Sequence, residues 1–123
     1  MRCFDHIDLR VRNLEEVRSF YGVLLPALGF TKDAKIDGWI QYERTSDKGA
    51  AEFFGVTESP NHIANECRIA FWASNGAEVD RLADVVRQAG GRNIEGPGFE
   101  VPGYYAVFFE DASGNRFEIC YRE

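Results

Sequence analysis

Basic residues do not dominate this chain: 14 Lys and Arg stand against 20 Asp and Glu, a formal charge of −6. They are also scattered, so a nucleic-acid partner is not expected. Only three cysteines occur, Cys3, Cys67 and Cys120. An odd number without metal-finger spacing argues against a disulfide framework or a zinc finger, and fits reduced thiols in the cytoplasm. No run of about eighteen apolar residues is present, which leaves no candidate transmembrane helix and no membrane role. The start Met1-Arg2-Cys3-Phe4-Asp5 runs straight into a strand pattern, so no secretory signal is expected. Gly96-Pro97-Gly98 lacks phosphate-loop spacing, and no serine or cysteine nucleophile motif stands out.

What the chain does contain is a passage written twice. Sliding the sequence so that His6 meets Arg68 lays His6–Gly29 on Arg68–Gly91, with Ile7/Ile69, Asn13/Asn75, Glu16/Glu78, Val17/Val79, Val23/Val85, Ala27/Ala89 and Gly29/Gly91 identical. A second ungapped match pairs Trp39–Gly55 with Tyr105–Tyr121 and puts Glu52 on Glu118. Self-similarity of this kind dictates architecture, and two copies suit a pseudo-twofold domain rather than a solenoid. At 123 residues and 45% apolar content, the chain is long enough for one domain with a real core.

The local patterns agree with the repeat. Phe4–Arg12 alternates, with Ile7, Leu9 and Val11 on one face and His6, Asp8 and Arg10 on the other, the period of a strand buried on one side. Asn13 then caps a helix, with Glu16 in capping-box position and Val17, Phe20, Tyr21, Leu24 and Leu28 as its apolar stripe. Pro26 ends or bends that helix before Gly29. Extended stretches follow at Thr31–Ile36, Gly38–Arg44 and Ala50–Val56, separated by Asp37-Gly38 and Ser46-Asp47-Lys48-Gly49 turns. The second copy runs through a strand at Cys67–Ala73, a helix capped by Asn75 and closed by Gly90-Gly91, and strands at Asn93–Glu95, Tyr104–Glu110 and Asn115–Tyr121. The Gly/Pro-rich Gly96–Gly103 is expected to be a connection. Each half is thus strand–helix–strand–strand–strand: a first module over about 1–56, a link over 57–66 and a second module over about 67–123, all one domain.

In the last strand Phe117, Ile119 and Tyr121 share one face, and Arg116, Glu118 and Cys120 the other. Single-striped helices must cover the greasy faces. The polar faces are left to line a concavity, the default place for a site.

The stretch from His6 to Leu14, followed by Phe20-Tyr21 and Leu28-Gly29-Phe30, resembles the opening of a vicinal oxygen chelate domain. Phe109–Ile119 resembles the closing stretch, and Gly96-Pro97-Gly98 with Gly103-Tyr104-Tyr105 resembles the small glyoxalase-like branch. The superfamily includes glyoxalase I, extradiol dioxygenases, fosfomycin-modifying enzymes, epimerases and bleomycin-binding proteins. The resemblance implies an α+β fold of two βαβββ modules, forming an eight-stranded cup with helices outside. It also implies a homodimer, and often a divalent metal (nickel, zinc, manganese or iron) held by His, Glu, His and Glu.

Carried over, those ligand positions fall on His6, Glu52, Arg68 and Glu118. Arg68 departs from the pattern, because a guanidinium is always protonated and cannot ligate a metal. It is read instead as a replacement for the cation, pairing with Glu118 or Glu52. His62, in the link, is a substitute ligand only if it swings in. Alternation puts Glu52 with Phe54 on the cup face, and Trp72, Tyr104 and Phe108 join Arg68 as an aromatic-walled surface for a small-molecule substrate.

Two functions therefore stay open. One is a lyase-, isomerase- or dioxygenase-type enzyme, with His6, Glu52 and Glu118 on a metal, and Glu52 or Glu118 moving a proton beside Arg68. The other is a metal-free binding protein that sequesters a small molecule, as the bleomycin-binding relatives do.

Overall fold

The computed structural model describes residues 4–45, 49 and 51–123. Cys3, Ser46-Asp47-Lys48 and the first residue of the expected Ala50–Val56 strand lie outside the described residues. The chain is α+β, two βαβββ modules that form two compact units divided between His62 and Ile63.

The first module holds β1 (His6–Val11), α1 (Leu14–Ala27), β2 (Lys32–Asp33), β3 (Trp39–Thr45) and β4 (Ala51–Glu58). Its sheet runs β1-β4-β3-β2, with β1 parallel to β4 and the other pairs antiparallel. α1 packs on β3 and β4. Asn13 accepts a hydrogen bond from the Glu16 N–H at 3.2 Å, the expected cap. Glu58, at the end of β4, takes a second orphan donor, the Leu14 N–H, at 2.9 Å. Val17, Tyr21, Leu24 and Leu25 are fully buried, as are Val11, Phe54 and Val56 of the sheet, and the Tyr21 ring stacks on Phe54. Pro26 falls in the last turn, and the helix ends at Ala27.

The second module repeats this plan with β5 (Arg68–Trp72), α2 (Gly76–Ala89), β6 (Arg92–Val101), β7 (Tyr104–Glu110) and β8 (Arg116–Arg122), in the order β5-β8-β7-β6. Asn75 accepts from the Glu78 N–H at 2.8 Å, and Gly90 closes α2 in the left-handed conformation. Val79, Leu82, Ala83 and Val86 meet Val107, Phe109, Phe117 and Ile119 in the core of this unit. Phe117 stacks with Phe109 and Phe71 at 5.5 and 6.1 Å between ring centres. The β7–β8 turn is tied by Asp111, whose carboxylate accepts the Ser113 and Asn115 N–H groups at 2.8 and 3.0 Å.

Two expectations are corrected. The stretch Thr31–Ile36 pairs only through Lys32–Asp33. Conversely, Gly96–Gly103 is not a plain connection, because β6 continues through it to Val101. β6 is the outer strand of its sheet and shifts register three times against β7, so Pro97 and the glycines sit where a ladder tolerates them.

Candidate functional site

Pairing register fixes which side chains share a face, since successive residues of a strand point to opposite sides. In the first sheet His6 opposes Phe53, Asp8 opposes Gly55, and Gln41 opposes Gly55 from the other side. His6, Asp8 and Arg10 therefore stand on the face away from α1, as expected. A Cβ on Gly55 would lie 3.2 Å from the Trp39 ring and 3.3 Å from an Asp8 carboxylate oxygen, so that face is closely filled. His6 is half exposed. Its Nδ1 is 2.9 Å from Asp5 Oδ2, and its Nε2 is 3.6 Å from Asp8 Oδ2. The hydrogen bond to Asp5, then the charge of Asp8, raise the pKa of the imidazole.

Glu52 is not with them. It opposes Arg44, in the alternating set of Tyr42, Phe54 and Val56 that faces α1, and lies 3.7 Å from the Arg44 guanidinium. The expectation that Phe54 shares an open face also fails, since Phe54 is 1% exposed and belongs to the core. His62 follows β4, its backbone N–H donating to the Ser59 carbonyl at 2.9 Å.

The second sheet gathers far more. Arg68 opposes Arg116, Ala70 opposes Glu118, and Trp72 opposes Cys120 across the parallel pair β5–β8. Across β8–β7, Arg116 opposes Glu110, Glu118 opposes Phe108, and Cys120 opposes Ala106. Arg68, Trp72, Tyr104, Phe108 and Glu118 thus share one face, opposite the α2-covered core. Tyr104 extends along it past Ala106 and Cys120, whose small side chains leave room, and its hydroxyl donates a hydrogen bond to Glu118 Oε2. The Arg122 guanidinium lies 3.8 Å from the centre of the Tyr104 ring, and that of Arg68 lies 4.8 Å from Phe108. Glu118 is 6% exposed, the most hidden acid of this face. Burial, followed by the Glu118 hydrogen bond, pushes the Tyr104 phenol up to about 12. Burial and the Glu118 charge likewise raise the Cys120 thiol.

A cavity of about 220 Å³ opens beside this row, lined by Arg68, Arg116, Phe108, Glu110, Glu95 and Asn93. Sequence patterns had placed Arg116 on the face of Glu118 without assigning it a role. Asn93 and Glu95 gave no such signal, because only a short stretch of β6 reads as strand, and Glu110, at the end of β7 on the alternating face of Phe108, was assigned no role.

The chain matches the Glyoxalase/Bleomycin resistance protein/Dioxygenase superfamily over residues 4–119. It belongs to that family. A glyoxalase/bleomycin resistance protein from Albidiferax ferrireducens T118 is similar at 25% identity and a TM-score of 0.76, with 98% of each chain covered. The fosfomycin resistance protein FosX from Listeria monocytogenes shares the fold at 18% identity and a TM-score of 0.69, over 98% of this chain and 93% of that one. FosX from Mesorhizobium loti does so at 17% identity and 0.70, over 100% and 94%. No curated protein is significantly similar in sequence to this chain. No helix among the described residues is long and apolar enough to cross a membrane.

Family members commonly use a divalent metal, and the residues here can be tested against a four-ligand centre. Asp8 opposes Gly55 as Ala70 opposes Glu118, and the repeat that matches His6 to Arg68 also matches Asp8 to Ala70. The counterpart of Glu118 in the first module is therefore Gly55, which has no side chain. The counterpart of His6 in the second is Arg68, which cannot donate a lone pair. One oxygen of Glu118 already accepts the Tyr104 hydroxyl hydrogen bond. Among the described residues, neither module brings three His, Cys, Asp or Glu side chains together to hold a metal. The residues do not fit the four-ligand centre.

Proposed function

We propose that the protein is a metal-independent small-molecule-binding member of the family, with its ligand on the open face of the second sheet. The observation that carries this is the pairing of Glu118 with Tyr104 beside Arg68. A guanidinium and a phenol hydrogen bond occupy the surroundings where a cation and its ligands would be needed. Fixed positive charge and hydrogen-bond donors on a rigid sheet can orient an oxygen-bearing ligand, with Phe108 and Trp72 supplying apolar surface. A family member from Albidiferax ferrireducens described as a glyoxalase/bleomycin resistance protein is consistent with ligand binding on such a scaffold.

A metal-independent enzyme is the second reading, favoured by one feature: a buried carboxylate beside a phenol held neutral. Glu118 would accept a proton from a bound carbon acid while Tyr104 stays protonated.

Chelator-treated protein, titrated with nickel, zinc, manganese and iron and assayed by elemental analysis, tests the main proposal. Expected is no stoichiometric uptake at micromolar metal and no rise in melting temperature, whereas a ligand found by thermal-shift screening raises it in chelator. Uptake of about one metal per chain at such concentrations, with a matching thermal shift, overturns the proposal. Solvent deuterium entering a bound ligand only when Glu118 is intact favours the enzyme over the pure binder.

A further inference from the structure

We propose that the cavity on the open face of the second sheet takes a small zwitterion of amino-acid size, its carboxylate on Arg68 and Arg116 and its ammonium on Glu95 and Glu110. The assignment names a ligand class for the site proposed above, and rests on Arg68 facing a ligand rather than a metal-bound group.

The charges around the cavity are sorted by strand. Arg68 on β5 is directly opposite Arg116 on β8, Arg116 is opposite Glu110 on β7, and Glu95 on β6 is opposite Phe108 on β7. Neighbouring strands lie about 4.8 Å apart. Two guanidinium groups therefore flank one side of the hollow and two carboxylates the other. All four line the same cavity of about 220 Å³, below the range of about 300–1,000 Å³ usual for drug-sized ligands.

These charges are not spent on one another. Among the described residues neither Arg68, Arg116, Glu95 nor Glu110 forms an ion pair. Glu110 accepts a single hydrogen bond, from Asn93 Nδ2 at 3.0 Å. Arg68 is steadied by the Phe108 ring at 4.8 Å, and stacking on an aromatic face leaves the guanidinium edge free to grip a carboxylate with two parallel hydrogen bonds.

Charge sorting decides the ligand class. A simple oxyanion at the arginines would share the hollow with Glu95 and Glu110, and a simple cation at the carboxylates would share it with the arginines. A molecule carrying both charges meets an opposite partner at each end, and the site then repels ligands that carry only one.

Isothermal titration of the intact protein with glycine, β-alanine and 4-aminobutanoate, against acetate and methylammonium as single-charge probes, tests this. At least one of the three zwitterions should bind roughly tenfold more tightly than either single-charge probe, the scale set by one added charge-assisted contact. Arg116→Gln should weaken that zwitterion, while Glu95→Gln should weaken it and strengthen acetate. Acetate binding as tightly as every zwitterion, or no zwitterion binding at millimolar concentration, overturns the assignment, and both comparisons use the unsubstituted protein. Stoichiometric metal uptake would sink the metal-independent proposal as well, whereas absent zwitterion binding without metal uptake sinks this assignment alone.

Discussion

The Tyr104 hydroxyl donates a hydrogen bond to Glu118 along the open face of the second sheet, passing over Ala106 and Cys120. The contact ties the first residue of β7 to the polar face of β8, and gives a buried carboxylate a donor from its own module. Burial first and the Glu118 bond second hold the phenol neutral up to about 12, against an ordinary 10.0. Spectrophotometric alkaline titration should therefore show a tyrosine component near that value, absent in Tyr104→Phe and shifted down in Glu118→Gln. The raised value also fixes the sign of the linkage. The neutral phenol's contribution to stability is complete below 10.0 and is lost as pH climbs through about 12. Tyr104→Phe leaves Glu118 without that partner, and urea unfolding should record a loss of about 1–3 kcal/mol at neutral pH. A Tyr104 ionising at the ordinary value in the native protein would show that the bond does not form in solution.

His6 has an acidic neighbour just before β1, Asp5, and another within it, Asp8. The bond to Asp5 and the nearby Asp8 raise its pKa above the ordinary 6.5, so its ring should titrate by NMR above that value. Asp5→Asn should bring the midpoint down more than Asp8→Asn, because the Asp5 bond is the larger cause. Protonated His6 is the form these carboxylates favour. The stabilising effect is thus full below 6.5 and disappears as pH rises through the higher native value. An imidazole that titrates at or below 6.5 would mean that neither carboxylate engages it.

Glu52 provides a test of register. It faces Arg44 on the α1 side of the first sheet, away from His6. Glu52→Gln should change stability by less than about 1 kcal/mol, as for other half-exposed ion pairs, and leave ligand affinity unchanged. Loss of ligand binding in that variant would place Glu52 in the site and the register in error.

The misplacement of Glu52 shows where sequence patterns stop. The alternation of β1, the Asn13 and Asn75 caps and the Gly90 stop are local chemistry, and each appears where the pattern puts it. The module plan follows from them. Matching the last two strands of each module without a gap does not, because the hairpin from Glu43 to Phe53 is longer than the one from Glu110 to Arg116. An ungapped alignment carries that difference into the strand, and an odd displacement turns every side chain to the other face. The true counterpart of Glu118, Gly55, has no side chain to announce itself. On the second sheet no such gap intervenes between Arg116 and Cys120, so Glu118 and its face-mates were legible from alternation. The far wall of the cavity was not, since the expected strand at Asn93–Glu95 is too short to show an alternating face and the glycines and Pro97 beyond it read as loop.

That edge strand has its own weak point at Gly96. The residue sits at a φ of +89°, and a Cβ there would come within 2.8 Å of the Ala106 carbonyl oxygen and 3.2 Å of the Gly98 nitrogen. Neither is a flexible side-chain end, so the backbone must move to admit even one methyl group. Left-handed backbone and a direct clash act together, and Gly96→Ala should cost about 1–3 kcal/mol in urea unfolding. Because β6 carries Glu95 into the cavity, movement of this strand also shifts one carboxylate wall. The same variant should therefore bind 4-aminobutanoate more weakly than the native protein at a temperature where both remain folded. Gly98, with nothing within 4 Å of its added Cβ, is the matched control, and Gly98→Ala should leave stability within about 1 kcal/mol. Equal effects of the two substitutions would mean that the close approach of Gly96 to Ala106 is not what holds β6 in place.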